Sequence, residues 1–548
     1  MKDFSLQLKN RIFSEPLSNI FLISVFYACF ITGYDVFSSD QTQYLLLPFR
    51  EIYENFCLND WFVWETSHYH FVFSYILKFL NFVTLGYIEI GLFITWIFFL
   101  IIHLHSLYFL SRTTGGDYKH FILLVLFIIS YSSFSLGDSI INSGILLPAF
   151  MAIPVTTYAF GYLISGRYRI AFTLLGTAGL IHINFGIVGI MIFVSYYIIV
   201  QKFGNLKELF ISTGLFSVLI LPNIIPVLMN FNENNEWLWL SFFIRSPHHY
   251  DPSVFGLFEW LETLIPLSLA IFIYYQRKDT AREIKIIYII LLLSGLVLIM
   301  NLFTGILFFY QIYVWRFSPY LLIFSYLIIN KFVLSGKYDK RVVWGILMFL
   351  LLFLILHRGA DIGLKRFVIM TAGVFLFYRM SRKGTVIPLF TGALIVLMLL
   401  GNGYKGVHFF KSDEITDWVR NNTPENSYFL TPPDVEGFRI LARRAIVVNT
   451  KSSPIGVGSE MFEWKQRLEK VTNTKNIEKW EERGYDLWGK LKNAYLQNSP
   501  VYVREVMEFY SAGFFMTYTD HQDLELFHEN GFTEIFRKES IVIFRYDK

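Results

Sequence analysis

Cysteine is scarce and charge is sparse in this sequence. Only two cysteines occur among 548 residues, Cys29 and Cys57. Two cysteines cannot form the disulfide framework that stabilises small secreted domains, so that class of scaffold is excluded. Charged residues make up 16% of the chain, whereas about a quarter of an ordinary soluble domain is charged. The net charge of +4 is small and lies in loops, so no nucleic-acid partner is indicated.

Several familiar catalytic motifs are also missing. The sequence contains no GxSxG, Walker or CxxC pattern. Their absence argues against a hydrolase of the nucleophile-elbow type, an NTPase and a thiol oxidoreductase. No period of 20–50 residues repeats, so the sequence does not indicate a repeat architecture.

Long apolar segments, in contrast, dominate the first three-quarters of the chain. The sequence is 54% hydrophobic and 19% aromatic, and a stretch of about 20 apolar residues can cross a bilayer as a helix. We therefore predict an α-helical polytopic membrane protein with about thirteen transmembrane helices. Their predicted segments are 17–34, 85–110, 120–136, 143–165, 168–183, 185–201, 208–229, 254–276, 284–302, 312–334, 342–357, 366–380 and 385–402.

Basic residues predict the orientation of these segments. Lys2, Lys9 and Arg11 precede the first apolar segment, which has the pattern of an uncleaved signal-anchor. Later basic loops, including "QRKDTAREIK", "KYDKR" and "YRMSRK", fall on the same side, and short basic loops stay in the cytoplasm. The N-terminus is therefore predicted inside, and an odd number of spans places the end of the chain outside. Only "HRGADIGLKR" (357–366) departs from this pattern.

The last part of the chain changes character after residue 407. Residues 408–548 carry frequent charges and no long apolar run. "SDEITDWVRNN" and "SEMFEWKQRLEKV" have helical patterns, whereas "SYFLTP", "AIVVN", "FFMTYT" and "IVIFRY" have the pattern of short strands. The sequence therefore predicts two domains, a transmembrane domain 1–407 and a small extracytoplasmic α/β domain 408–548.

A long loop, residues 35–84, follows the first predicted span and faces outside in this topology. Within it, "YLLLPFREIYENF" and "YHFVFSYILKFLNFV" have the spacing of interfacial amphipathic helices. Asp35 and Asp40 lie within one or two helical turns of the membrane surface. A carboxylate that is partly desolvated there can act as a base or bind a cation, although it can also simply cap the bundle and face water.

These features resemble the GT-C glycosyltransferase superfamily. The resemblance rests on the long first external loop with an acidic residue just past the first span, its two amphipathic helices, the many further spans and the exported α/β domain. The stretches "SSDQTQYL", "NDWF", "SPHHYDPS" and "DWVRNNTPENSYFLTPPDVEGFRILARRAIVV" also resemble a family of bacterial membrane proteins of undefined function. The resemblance implies a GT-C-like fold in the cytoplasmic (inner) membrane of a bacterium.

The GT-C resemblance also implies an activity and partners. It implies transfer of a sugar from a polyprenyl-phosphate donor to an envelope glycan, lipid or protein on the outer face, beside membrane lipid. By analogy with that superfamily, Asp40 is the first candidate for base or metal ligand, and Asp35 the second. The leaving phosphate requires cationic side chains or a divalent cation, Mg or Mn. Candidates for this contact are Arg245, His248, His249 and Arg316.

Further side chains could contribute to the same site. His182, where two spans meet outside, could line the cavity, and Gln41 and Gln43 could bind sugar hydroxyls; ordinary packing roles remain open for all three. The tail carries a basic cluster, Arg439, Arg443, Arg444 and Lys451, which either grips an anionic acceptor or lipid headgroup or forms a solvated face.

Two other functions also remain open at this stage. The chain could transport or flip a lipid-linked intermediate, or act as a non-catalytic scaffold in envelope assembly. A secondary transporter should show internal repeats and ionisable groups at mid-bilayer. The sequence shows no obvious duplication and keeps its acidic residues mostly near the predicted external rim. The pattern therefore favours the enzyme.

Overall fold

A computed structural model describes residues 17–546, apart from 68–69, 131–133, 230–235, 278–279, 305–311, 336–341, 344, 347–386, 402–403, 412 and 455–457. The basic N-terminal residues, the stretch 357–366 and nearly all of the predicted spans 342–357 and 366–380 lie outside the described residues. The chain forms two compact units. The described residues within 1–34, 93–224 and 252–407 form unit 1, and those within 35–92, 225–251 and 408–548 form unit 2.

Apolar helices make up most of unit 1. They are Leu17–Tyr27, continued by the wider turn Ala28–Thr32, most of Ile88–Thr113, Tyr118–Ser130, Pro148–Ile164, Tyr168–Ile181, Ile183–Gln201, most of Leu206–Met229, Leu257–Arg277, Ala281–Thr304, Ser318–Leu334 after the 3₁₀ turn Val314–Phe317, and Ile387–Gly401. Every predicted span except 342–357 and 366–380 therefore contains a described α-helix of appreciable length.

Six helices of the described chain are long and apolar enough to cross a bilayer: Ile88–Thr113, Ile183–Gln201, Leu206–Ile225, Leu257–Gln276, Ala281–Met300 and Val314–Leu334. Other apolar helices are shorter, for example Pro148–Ile164 and Tyr168–Ile181. A helix suits such a segment because lipid offers no partner to backbone polar groups, so these groups must bond to one another within the helix. The predicted class, a polytopic helical membrane protein, is confirmed.

Two glycines allow close packing around the junction at His182. A Cβ atom on Gly186 would lie 2.2 Å from Cδ1 of Ile220, and one on Gly179 would lie 2.8 Å from the Cα of Gly186. Glycine is therefore required where the helices Tyr168–Ile181 and Ile183–Gln201 approach each other. Between them His182 adopts an extended backbone that turns the chain.

Nine short strands occur among the described residues. They are β1 (Tyr34–Asp35), β2 (Phe134–Ser135), β3 (Ser139–Ile140), β4 (Val407–His408), β5 (Tyr428–Leu430), β6 (Ala445–Ile446), β7 (Phe514–Tyr518), β8 (Phe532–Lys538) and β9 (Ile541–Tyr546). β2 and β3 form an antiparallel pair in unit 1. In unit 2 a five-stranded sheet has the order β6–β5–β7–β9–β8, with β5 parallel to both β6 and β7 and the other pairs antiparallel.

Helices of the tail pack with this sheet in unit 2. They are Glu414–Asn422, Phe438–Ala442, Gly458–Val471, Gly484–Tyr495, Pro500–Tyr510 and Leu526–Glu529. Asp413 caps the first of them, since its carboxylate accepts hydrogen bonds from the backbone amides of Ile415 and Thr416. Val419, Phe429, Ile446 and Ile543 lie in the hydrophobic core. The predicted small α/β fold of the tail is confirmed, and β8 and the helices Gly484–Tyr495 and Pro500–Tyr510 extend it beyond the predicted elements.

The loop 35–84, which the sequence predicts to be external, belongs to the same unit as the tail. Its helices are Gln41–Tyr44, Leu46–Ile52, Trp61–Glu65 and Phe71–Val83, and residues 225–251 add Glu236–Trp239, the wider turn Leu240–Arg245 and Pro247–Tyr250. Asp60, fully buried, accepts a hydrogen bond of 2.7 Å from Nε of Arg439 and one of 2.9 Å from the amide of Ile446. A buried ion pair therefore joins the loop to the tail within unit 2.

That ion pair corrects one interpretation of the basic cluster in the tail. Arg439, Arg444 and Lys451 are 3%, 4% and 8% exposed, so they do not form a solvated face. Arg444 donates to the backbone carbonyls of Arg420 and Thr423. The solvated-face interpretation fails because the first loop and the tail carbonyls supply partners that allow these cations to be buried.

Candidate functional site

A tight turn in the first loop positions Asp40. Phe37 and Ser39 have positive φ values of 55° and 48°, which non-glycine residues seldom adopt. The amide oxygen of Gln41 accepts a 2.8 Å hydrogen bond from the amide of Phe37 and so closes the turn. Asp40 precedes the helix Gln41–Tyr44, but its side chain makes no capping hydrogen bond. Its carboxylate is therefore available for other partners.

Lys451 from the tail is the partner of Asp40. Its Nζ lies 2.7 Å from Oδ1 of Asp40. The Lys451 side chain is 10% exposed and the Asp40 side chain 44% exposed. The ammonium is thus largely enclosed, while one face of the carboxylate remains open to solvent.

A second cation lies beside this pair. Arg245 donates a 2.8 Å hydrogen bond from Nη2 to the backbone carbonyl of Lys451, and Nη1 donates to Oγ of Ser246. The ring of Trp488 lies 5.7 Å from Cζ of Arg245 and 5.9 Å from Nζ of Lys451. An indole ring that faces two cations favours their burial through the negative face of its π system.

Neighbouring charges and burial together determine the pKa values of Asp40 and Arg245. Burial acts to raise the pKa of Asp40, but the charge and hydrogen bond of Lys451, together with charge from His249 and Arg245, outweigh it, so the pKa lies below its ordinary value. Burial lowers the pKa of Arg245, an effect that the charge of Asp40 opposes. Asp40 is therefore ionised at neutral pH, and positive charge surrounds it.

The adjacent histidines approach this cluster from the helix Pro247–Tyr250. The ring of His248 stacks on Tyr485 of the tail at 4.9 Å, and the rings of His248 and His249 lie 4.3 Å apart. Burial, with help from the charges of Arg245 and Lys451, lowers the pKa of His248 to about 4. His248 is therefore neutral at pH 7 and can exchange a hydrogen bond without adding charge.

The structure places the remaining predicted residues of unit 2 as follows. Asp35 has a 47% exposed side chain and lies 3.7 Å from Nζ of Lys411. Gln43 donates from Nε2 to the backbone carbonyl of Ser453, at 2.9 Å. Gln41 is fully buried. The predicted roles of these three side chains toward a substrate stay predictions, and the contacts show that both glutamines also hold the loop in place.

Arg316 and His182 come together in unit 1. The guanidinium of Arg316 lies 4.5 Å from the ring centroid of Tyr313 and 6.0 Å from that of Phe185. The ring of His182 contacts the same Phe185 edge-on at 5.6 Å. The sequence grouped Arg316 and His182 only through the predicted topology, and the structure brings both to one phenylalanine ring.

Sequence reasoning missed the tail's share of the Asp40 cluster. The sequence places Lys451 only in the basic cluster of the tail and assigns no role to Trp488 or Tyr485. A signal existed in the excess of tryptophan and tyrosine near "ERGYDLWGKLKNAY", since such rings commonly accompany cations and polar ligands. Nothing local in the sequence pairs that stretch with Asp40.

Comparison with known proteins gives one family model and similar solved structures. A family model described as a domain of unknown function (DUF6798) matches residues 411–471. No curated protein matches this chain significantly. The chain is similar to the crystal structure of ArnT from Cupriavidus metallidurans in the apo state, with 12% identity, 97% of each chain covered and a TM-score of 0.50.

A further similar structure is an Archaeoglobus fulgidus oligosaccharyltransferase tethered with an acceptor peptide, at 10% identity, with 97% of this chain and 74% of that chain covered and a TM-score of 0.48. At such low identity, likeness concerns the fold alone. The likeness to ArnT over nearly the whole chain confirms the predicted GT-C-like fold.

Proposed function

We propose that this protein is a membrane glycosyltransferase that transfers a sugar from a polyprenyl-phosphate-linked donor to an envelope glycan, lipid or protein on the outer face of the cytoplasmic membrane. The observation that carries the proposal is the ion pair between Asp40 and Lys451, with Arg245 beside it. Its parts are a partly exposed carboxylate and two largely enclosed cations. The GT-C-like fold supports the proposal at the level of architecture.

The cations suit the leaving phosphate. Lys451 and Arg245 carry two positive charges, and Asp40 carries one negative charge, so the cluster has a surplus that an anionic phosphate would neutralise. Charge-assisted hydrogen bonds to a phosphate are among the stronger protein contacts. Such donors also stabilise the charge that develops on the leaving oxygen, an effect worth about 2.7–4 kcal/mol for a single donor in one well-studied enzyme. In the proposed reaction both cations hold the departing polyprenyl phosphate.

Asp40 suits the role of base once Lys451 turns toward phosphate. A base works best when its pKa lies near the operating pH, and pairing with Lys451 holds the pKa of Asp40 low. A donor phosphate that attracts Lys451 would weaken this pairing and raise the basicity of Asp40. The acceptor hydroxyl oxygen then bonds to the anomeric carbon, its proton passes to Asp40, and the bond from that carbon to the phosphate oxygen breaks with its electron pair on phosphate.

A divalent cation fits this cluster poorly. The carboxylate of Asp40 is already paired with Lys451, and Arg245 lies beside that lysine, so a cation ligated by Asp40 would face two positive charges. Lys451 and Arg245 already supply the charge compensation that Mg or Mn would offer. We therefore route no step through a metal at Asp40, and a cation bound elsewhere in the protein stays a prediction.

Asp40→Asn tests the proposal, with Asp35→Asn as the matched control. The two aspartates have similarly exposed side chains, 44% and 47%, in the same loop. We expect Asp40→Asn to lower transfer by about 10²–10⁴-fold, the usual contribution of a general base, and Asp35→Asn to change it little. Transfer is measured as surface glycan in cells whose own gene is deleted, and binding as retention of a polyprenyl monophosphate by the purified protein in nanodiscs.

A charge swap separates catalysis from structure. In Asp40→Lys combined with Lys451→Asp, the ion pair can re-form but the base and cation exchange places. We expect thermal stability to recover relative to either single variant while transfer stays lost. Transfer restored by the swap would show that the pair is only structural. Near-normal glycan in Asp40→Asn, Asp35→Asn and their double variant would leave transport or a scaffold role instead.

A further inference from the structure

A cleft in unit 2 lies among residues that the proposed reaction does not use. Its volume is about 520 Å³, within the ~300–1,000 Å³ range of small-molecule sites. Residues from the first loop and from the tail line it, chiefly Trp61, Tyr428, Arg467, Phe509 and Tyr510. None of these residues was singled out by the sequence as part of a site.

Aromatic rings and one guanidinium define the chemistry of this cleft. Cζ of Arg467 lies 4.8 Å from the ring centroid of Trp61 and 5.1 Å from that of Tyr510. Nε of Arg467 donates to Glu463 at 2.7 Å, and Nη1 donates to the hydroxyl of Tyr428 at 3.4 Å. These contacts fix the plane of the guanidinium and partly neutralise its charge, so the cleft has a positioned donor. A second cation lies at its edge, since Nζ of Lys470 is 4.2 Å from the ring centroid of Phe509.

Exposed ring surface and unused polar groups complete the cleft. Phe509 is 66% exposed, so its ring contributes little to the core of the fold and is available for contact with a ligand. Burial raises the pKa values of Tyr428 and Tyr510 to about 12, so both hydroxyls stay protonated and can donate. Ser427 is 6% exposed, and its hydroxyl has no hydrogen-bond partner among the described residues, which is unusual for a buried polar group.

We propose that this cleft is a saccharide-binding subsite that holds the acceptor glycan. A pyranose ring presents an apolar face of C–H groups that packs on aromatic rings, and an equatorial rim of hydroxyls that needs polar partners. The cleft offers both, with Phe509 and Tyr510 as the stacking surface and Arg467, Tyr428 and Ser427 as polar contacts. The name "acceptor" rests on the proposed transferase function, whereas the binding of saccharide does not.

The alternatives fit the cleft less well. A phosphate or lipid headgroup would call for several unpaired cations, and Arg467 is already paired with Glu463. An apolar peptide segment would leave the hydroxyl of Ser427 and the donors of Arg467 without partners, at a desolvation cost. A saccharide satisfies the apolar and the polar groups together.

Direct binding of glycans tests the subsite. The full-length Asp40→Asn protein in nanodiscs is applied to an array of defined oligosaccharides with neutral, N-acetylated and uronate-containing members, and dissociation constants of those retained are measured by calorimetry. We expect binding to weaken by about tenfold or more in Phe509→Ala combined with Tyr510→Ala, because two stacking faces are removed. Phe410→Ala is the matched control, since Phe410 is a 65% exposed phenylalanine in the same unit and is not among the residues that line the cleft.

A conservative variant distinguishes a direct loss of saccharide binding from misfolding. Ser427→Ala removes a hydroxyl that has no partner in the protein, so stability should hold while saccharide affinity falls by about 2- to 12-fold, the worth of one hydrogen bond. No binding on the array, or binding unaffected by both cleft variants, would overturn the subsite. Binding that depends on the cleft in a protein whose wild type transfers no sugar would instead overturn the proposed transferase function and leave the subsite standing.

Discussion

Breaking the buried ion pair between Asp60 and Arg439 should strongly destabilise the surrounding part of unit 2. Asp60 is fully buried and Arg439 is 3% exposed. Oδ2 of Asp60 accepts from Nε of Arg439 and from the amide of Ile446, and Oδ1 accepts from the amide of Val63 at the start of the helix Trp61–Glu65. Asp60→Asn keeps the size of the side chain and an acceptor for the helix cap but leaves the guanidinium without a counter-charge.

The expected magnitude follows from that geometry. Removing one partner of a buried ion pair destabilises a protein by about 3–5 kcal/mol, because the other charge stays buried and unpaired. At about 1.4 kcal/mol per tenfold, local opening of this region should become roughly 100- to 4,000-fold more frequent. Hydrogen–deuterium exchange of the full-length protein in nanodiscs, read on peptides that cover residues 57–66 and 438–448, measures this change directly.

Two further variants make the result interpretable. Arg439→Met added to Asp60→Asn removes the stranded charge and should restore part of the protection. Glu534→Gln removes one partner of an exposed pair with Arg537 and should cost only about 0.2–1 kcal/mol. If Asp60→Asn alters exchange no more than Glu534→Gln does, the reasoning from burial is wrong.

Further predictions concern pH and topology. The contribution of His248 to stability should be fully present above its unfolded pKa of about 6.5. It should be lost as the pH drops toward the folded pKa of about 4, because the unfolded chain binds the proton first. His248→Gln should therefore reduce the difference between thermal unfolding at pH 7 and at pH 4.5, and an unchanged difference would contradict the prediction. Residues 408–548 should lie on the outer side of the membrane. A cysteine introduced by Asp520→Cys, at an exposed position, should therefore react with an impermeant maleimide in intact cells. Labelling only after permeabilisation would show that the tail lies inside. Lys451 is unsuitable for this labelling because it is buried.

The structure shows which variants can test the function of the tail. Deleting residues 408–548 would remove Arg439 and Lys451 and so leave Asp60 buried without its partner and Asp40 without its own. Such a deletion would disturb the first loop itself, whatever the function of the tail. Point variants of Lys451, Ser427 and Tyr510 separate the contributions of the tail without this damage.

Several residues of the Asp40 cluster are accessible from the sequence because their signals are local. The place of Asp40 just past an apolar segment makes it a candidate, and the resemblance to the GT-C superfamily ranks it first. Arg245 and His248 lie in a polar stretch that follows another apolar segment. All three belong to the same cluster in unit 2. Arg316 was also grouped with them by the predicted topology. The structure places Arg316 in unit 1 beside Phe185, and its approach to Asp40 stays a prediction.

The sequence by itself determined the class of the protein, the apolar helices of its described residues and the α/β character of its tail. Each of these depends on the length and period of apolar runs, which a window of about twenty residues contains in full. Only the tertiary structure decided that Lys451 pairs with Asp40, that Arg439 is buried against Asp60 and that a cleft forms around Arg467. The sequence around a lysine or arginine does not show whether its charge faces water or pairs with a carboxylate from another segment. The partner depends on how segments far apart along the chain pack together.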